Sequence, residues 1–143
     1  VIRPAVPPDL SAGERYGLDV LLDLSRLLVV LDPAADVVRL TIGASPPVSL
    51  DHFVRHAVTP ERADAEVRVS RDVLSCVTAL AGAGAEQGVG ATDRHGRVPS
   101  VENPLVRAGR EQVPVVQFYA AQLRAAVQAV AGRRPVRLLA PWP

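Results

Sequence analysis

The stretch Glu66-Val67-Arg68-Val69-Ser70-Arg71-Asp72-Val73-Leu74-Ser75-Cys76-Val77-Thr78-Ala79-Leu80-Ala81 changes its period part-way along. The first residues alternate, Val67 and Val69 against Glu66 and Arg68, as in a short strand with one buried face. From Arg71 onward the apolar residues recur at three- and four-residue steps. That spacing puts Val73, Leu74, Val77, Leu80 and Ala81 on one face of a helix, with Ser70 placed to cap it. A strand feeding directly into an amphipathic helix is half of a βαβ unit, and the flanking sequence repeats the theme.

Toward the N-terminus, residues 36–43 read as a second strand, with Val38, Leu40 and Ile42 opposed to Arg39 and Thr41. Before it, Ser11-Ala12-Gly13-Glu14 has capping-box spacing. It opens a helix predicted from about Glu14 to Leu28, with Val20, Leu21, Leu24, Leu27 and Leu28 on one face, widened by Leu18 and Leu22. Gly17 weakens this helix by about 1 kcal/mol relative to alanine. Val1 to Pro8 reads as an edge strand stopped by Pro7-Pro8. Asp32-Pro33 closes that unit, 44–47 is a turn, and 48–58 reads equally as strand-loop or short helix.

Toward the C-terminus, four glycines between Gly82 and Gly90 end the helix. Residues 91–112 form a long polar connection, and such loops are either functional or packed by their own side chains. Pro114 opens a helix through about Ala131, with Val116, Tyr119, Leu123, Val127 and Val130 on one face, Gly132 as its stop and Arg133-Arg134 complementing its dipole. Val136 to Ala140 reads as a last strand. The expected fold is therefore α/β: one domain over 1–143, with a small, at least partly parallel sheet covered by about three main helices. Strand order is not legible in the pattern.

Composition narrows the function classes. The chain has 143 residues, 48% hydrophobic and 22% charged, which is ordinary for a single globular domain. Its net charge of +1, from 16 arginines against 15 acids, supplies no field for gripping nucleic acid or an anionic membrane. No run of about 18 apolar residues is present to span a bilayer. Aromatics at 3% supply few stacking platforms. The start, Val1-Ile2-Arg3-Pro4, lacks the features of a signal peptide, and the sequence names no compartment. Cys76 stands alone and reads as a small buried hydrophobe. The absence of lysine fits coding pressure from a GC-rich genome. The absence of methionine, with an end just after an apolar run, leads us to expect a piece of a longer protein.

Two groups of residues could carry chemistry. His52 and His56 stand four apart, the helical spacing by which two imidazoles share a zinc ion, with Asp51, Asp93 or His95 as a third ligand. No Glu lies between them, and two surface histidines is the plainer reading. The second group is Asp93-Arg94-His95-Gly96-Arg97-Val98-Pro99-Ser100-Val101-Glu102. Gly96 permits a turn there and Pro99 fixes φ. Asp93, His95, Arg97 and Glu102 can hold the loop through internal bonds, or meet a substrate. No Gly-x-Ser-x-Gly elbow occurs, and the glycine pairs at 82–84 and 88–90 follow a helix where a phosphate loop must follow a strand.

The same segment resembles an uncharacterised α/β domain that precedes the catalytic barrel in bacterial polysaccharide deacetylase-like proteins. Its pattern, Asp-x-x-Gly-Arg-Phe-Pro, a polar stretch, Gly, then Pro-x-Val-Asp-x-Tyr, is met by Asp93, Gly96, Arg97, Pro99, Gly109, Pro114, Val116 and Tyr119. Pro7-Pro8, Glu14-Arg15-Tyr16 and the end, Ala140-Pro141-Trp142-Pro143, are similar as well. Val98 replaces the usual Phe and Gln117 the usual Asp, and residues 76–87 lack that family's aromatic and Arg-Glu-Glu signal. The barrel itself, with its metal-binding Asp and His-x-x-x-His, does not fit in this chain. The resemblance implies a non-catalytic accessory domain that positions carbohydrate substrate. It would partner a catalytic deacetylase domain in the same longer chain and need no cofactor of its own. Two alternatives stand beside it: a small metal-dependent hydrolase using zinc at His52 and His56, and a stand-alone interaction domain.

Overall fold

The computed structural model describes residues 2–5, 7–27, 38–43, 46–56, 58–82, 84, 90 and 92–132. The strand expected over 136–140, the Asp32-Pro33 break, the Arg133-Arg134 pair, the 140–143 end and most of the 82–90 glycine loop lie outside them. Among the described residues four strands form one sheet: β1 (Ile2–Ala5), β2 (Val38–Ile42), β3 (Glu61–Ala63) and β4 (Glu66–Val69), in the order β1-β2-β4-β3. β1 pairs with β2 and β2 with β4 in parallel, while β3 runs antiparallel to β4. The helices are α1 (Ala12–Ser25), α2 (Leu50–Arg55), α3 (Arg71–Ala81), α4 (Pro104–Arg107) and α5 (Val115–Ala131). The chain is thus an α/β protein in which three long helices, α1, α3 and α5, cover a small mixed sheet. No helix among the described residues is long and apolar enough to cross a membrane.

The alternation in the strands decides which face the helices cover. Val38, Leu40 and Ile42 of β2 and Val67 and Val69 of β4 are buried in one core with Leu21, Leu74, Leu123 and Val127. The other face is polar. There Thr41 donates to the Glu66 carboxylate, and Arg68 pairs with the same group at 3.5 Å. The Thr41 hydrogen bond, foremost, holds Glu66 below the usual carboxylate range.

α1 turns a different side inward from the one its leucines suggest. Gly17, Leu18, Leu21 and Ser25 are buried, whereas Leu24 is 39% exposed. The helix also stops at Ser25 rather than Leu28. Arg26 takes a left-handed conformation (φ 54°), its amide donates to the Asp23 carbonyl, and the Leu27 amide donates to that of Leu22. This is a Schellman stop with arginine where glycine is preferred. Arg26→Gly is expected to raise stability by about 0.5–1 kcal/mol, read as a higher urea midpoint at unchanged slope, because the left-handed strain is relieved.

The predicted capping box forms: the Glu14 amide donates to Ser11 Oγ at 3.2 Å, and the Ser11 amide donates to Glu14 at 2.8 Å. Arg71, the first residue of α3, then ties this corner together, reaching Glu14 at 2.6 Å and Asp9 at 3.1 Å. The Arg71 hydrogen bond, followed by the Ser11 amide, lowers the Glu14 carboxyl from 4.5 to about 2. A carboxylate with a depressed native pKa contributes stability above its unfolded pKa and loses it as that proton returns. Acid unfolding of the native chain should therefore include a loss between about pH 4.5 and 2 that is absent in Glu14→Gln.

Candidate functional site

In open α/β sheets the space beyond the carboxyl ends of the parallel strands is where ligands settle, since chain leaves the sheet there and leaves a crevice. Here that edge lies after Ile42 and Val69. The Gly43 amide continues the ladder to the Val69 carbonyl at 2.8 Å. The segment Pro46 to Ser49 then bends over the start of α3 and is pinned to it three times. Ser70 Oγ donates to the Pro46 carbonyl at 3.1 Å, the Val48 amide donates to Asp72 at 3.3 Å, and the Cys76 thiol donates to the Val48 carbonyl at 3.5 Å. Ser70 therefore does not cap α3 through its side chain as its position suggests; its hydroxyl is spent on the strap. Burial pushes the Cys76 thiol up to about 11, so it stays protonated and structural at neutral pH.

Ser49 starts α2 by accepting the His52 amide at 3.2 Å. This settles 48–58 as strap and short helix. α2 is held by Phe53 and Val54, both 2% exposed, and Phe53 meets Tyr119 of α5 edge to face with ring centroids 5.4 Å apart. Between the strap, α2 and the incoming end of β3 lies a recess of about 560 Å³, bordered by Ser49, His52, Thr59, Glu61, Ser70 and Tyr119. A smaller one, about 210 Å³, lies on the other side of α2 and is bordered by His56, Arg110, Phe118 and Gln122, with Tyr119 and Val58 shared by both. Burial raises the Tyr119 phenol above its usual range.

The two histidines are close, with ring centroids 4.8 Å apart and planes tilted by 42°. His56 sits just past the end of α2 in extended backbone, so the pair borders different recesses. Asp51, the candidate third ligand adjacent to His52 in sequence, is bonded to Arg55 at 3.2 Å. Among the described residues no group of three or more His, Cys, Asp or Glu side chains is arranged to hold a metal ion.

The 93–102 loop is closed on itself. Asp93 accepts from the amides of His95 (2.8 Å) and Arg97 (2.9 Å) and from Arg97 Nε (3.1 Å), and its own amide donates to the Arg97 carbonyl at 2.7 Å. Gly96 turns the chain at φ 75°. The Arg97 amide, foremost, lowers the Asp93 pKa. His95 takes the Arg94 Nε at 3.0 Å, and Glu102 ends a 3-10 turn (Ser100–Glu102) leading into α4. None of Asp93, His95, Arg97 and Glu102 borders either recess.

Sequence reasoning thus missed Ser49, Thr59, Glu61 and Ser70 as candidate site residues and placed Tyr119 in the helix stripe and in the resembled pattern, not at a site. The residues following β2 and β4 would have pointed to the first and the last, had strand order been known. Comparison with family models, characterised proteins and solved structures gives no match for this chain.

Proposed function

We propose that the chain is a non-catalytic accessory domain of a carbohydrate deacetylase-like protein, supporting a catalytic barrel and orienting its substrate. The observation that carries this reading is the way the Asp93 loop uses its charge. The carboxylate and guanidinium that a reaction would employ are bonded to each other and to the loop's own amides. The other positions of the resembled pattern are likewise parts of the scaffold. Gly109 takes φ 63°, Pro114 precedes α5, and Val116 and Tyr119 pack against the core.

Two measurements test it. The coding sequence after Pro143 should continue into an Asp-rich strand and a later His-x-x-x-His; a stop codon there would defeat the accessory role. The chain alone should release no acetate from N-acetylated oligosaccharides, with or without zinc. The 4.8 Å approach of His52 and His56 favours a second reading, a metal-dependent hydrolase. Zinc-dependent acetate release that disappears in His56→Ala would put that reading in place of the first.

A further inference from the structure

We propose that the recess at the carboxyl edge of the sheet, between the Pro46–Ser49 strap, α2 and the start of β3, is a binding site for a neutral, hydroxyl-rich ligand of saccharide size. Three observations carry it. The first is Tyr119. Its side chain is 3% exposed and borders the recess, yet it hydrogen-bonds to no described residue. The hydroxyl is not sealed off: it reaches open space where a ligand could bond to it, and the ring borders this recess as well as the smaller one. The second is the kind of group around it. Ser49 accepts the His52 amide and keeps its own proton to donate, and exposed Thr59 adds a second hydroxyl. Pro46, Pro47 and Val58 supply apolar wall, which suits a molecule with polar rims and apolar faces. The third is charge. Among the described lining residues Glu61 is the one carboxylate, no arginine lies there, and His52 is the one side chain of basic type, so a phosphate or carboxylate would be opposed by Glu61 and would find no guanidinium to hold it.

The rim is also held in place before any ligand arrives, since the first turns of α3 pin the strap at Pro46 and Val48. Little ordering is then left to oppose binding. The volume, about 560 Å³, falls within the range of about 300–1,000 Å³ typical of small-molecule sites. The site and its preference for neutral ligands are read from these groups alone; that the ligand is a sugar rests on the proposed function.

The test uses the whole chain, titrated by heteronuclear NMR and calorimetry with glucose, galactose, mannose, N-acetylglucosamine and the β-1,4 disaccharides of glucose and N-acetylglucosamine. At least one should saturate, with shifts concentrated in 46–49 and 59–61. Tyr119→Phe should weaken that binding about tenfold, the loss of one hydrogen bond, while leaving the thermal midpoint unchanged. Thr59→Val, at an exposed position outside the helices, should weaken it several-fold and serves if the first variant is perturbed. Saturation by none of these sugars, shifts elsewhere, wild-type affinity in both variants, or tighter binding of glucuronate would each overturn the assignment. A stop codon after Pro143 would defeat the accessory role and leave the site standing. A barrel downstream with no sugar bound here would defeat the site alone.

Discussion

Gly17→Ala is expected to destabilise the protein by about 2–3 kcal/mol, a fall of about 5–10 °C in Tm for a chain of this length. A β-carbon built on Gly17 lies 2.3 Å from the Leu74 carbonyl oxygen and 2.6 Å from Thr78 Oγ1. The threonine could rotate away. The backbone carbonyl cannot, because it belongs to a buried turn of α3. α1 and α3 would have to part where they cross, and the bond from Thr78 Oγ1 to the Gly13 carbonyl would part with them. Alanine's better helix propensity returns about 1 kcal/mol and does not cover the overpacking. Gly13→Ala is the control. Its β-carbon would meet only Thr78 Cγ2, at 3.4 Å, an ordinary contact. Urea midpoints for the two variants should differ in the order Gly13→Ala well above Gly17→Ala; equal midpoints would mean that α1 does not cross α3 at this residue.

The same glycine shows where the sequence was readable. α3 could be read at both ends, because a clean alternation switches to a clean helical period at Ser70. α5 and the inward residues of β2 were legible for the same reason. α1 misled because Leu18, Val20, Leu21, Leu22 and Leu24 cover much of its circumference, and a stripe that wide does not choose a face. The face was chosen by Gly17, whose missing side chain lets α3 approach; read by itself, that glycine counted only as a helix-weakening residue. β3 left no pattern, since Glu61, Arg62 and Ala63 are all exposed. It exists through its ladder with β4 and the turn at Asp64, which takes φ 42°.

The recess was hidden for a different reason. Its borders come from 46–49, 52, 58, 59, 61, 70 and 119, and only the order β1-β2-β4-β3 brings them together. The polar loop that drew notice in the sequence did so by its density of charge. In the fold that charge is spent between Asp93 and Arg97. Charge density along a chain marks where ion pairs can form, and it does not mark which of them remain free for a ligand.

Phe53→Ala should cost about 3–5 kcal/mol, and the loss should be felt first in α2. Phe53 is one of two fully buried side chains, beside the partly buried Leu50, in a helix of six residues, and a helix that short does not persist without its tertiary contacts. Truncation removes a ring that is 2% exposed and its edge-on contact with Tyr119. The cavity left would join the two recesses that Tyr119 already borders. Val54 and the partly buried Leu50 bury too little between them to hold α2 in place, so Ser49 and His52 would leave the rim with it. Hydrogen exchange should show the amides of 52–56 losing protection well below the global unfolding free energy, with α3 and α5 still protected. Phe53→Leu, which keeps most of the apolar volume, should cost about 1–1.5 kcal/mol and leave α2 protected. If Phe53→Ala instead lowered protection uniformly across the chain, α2 would be an integral part of the core, and the walls of the recess would share the stability of the whole sheet.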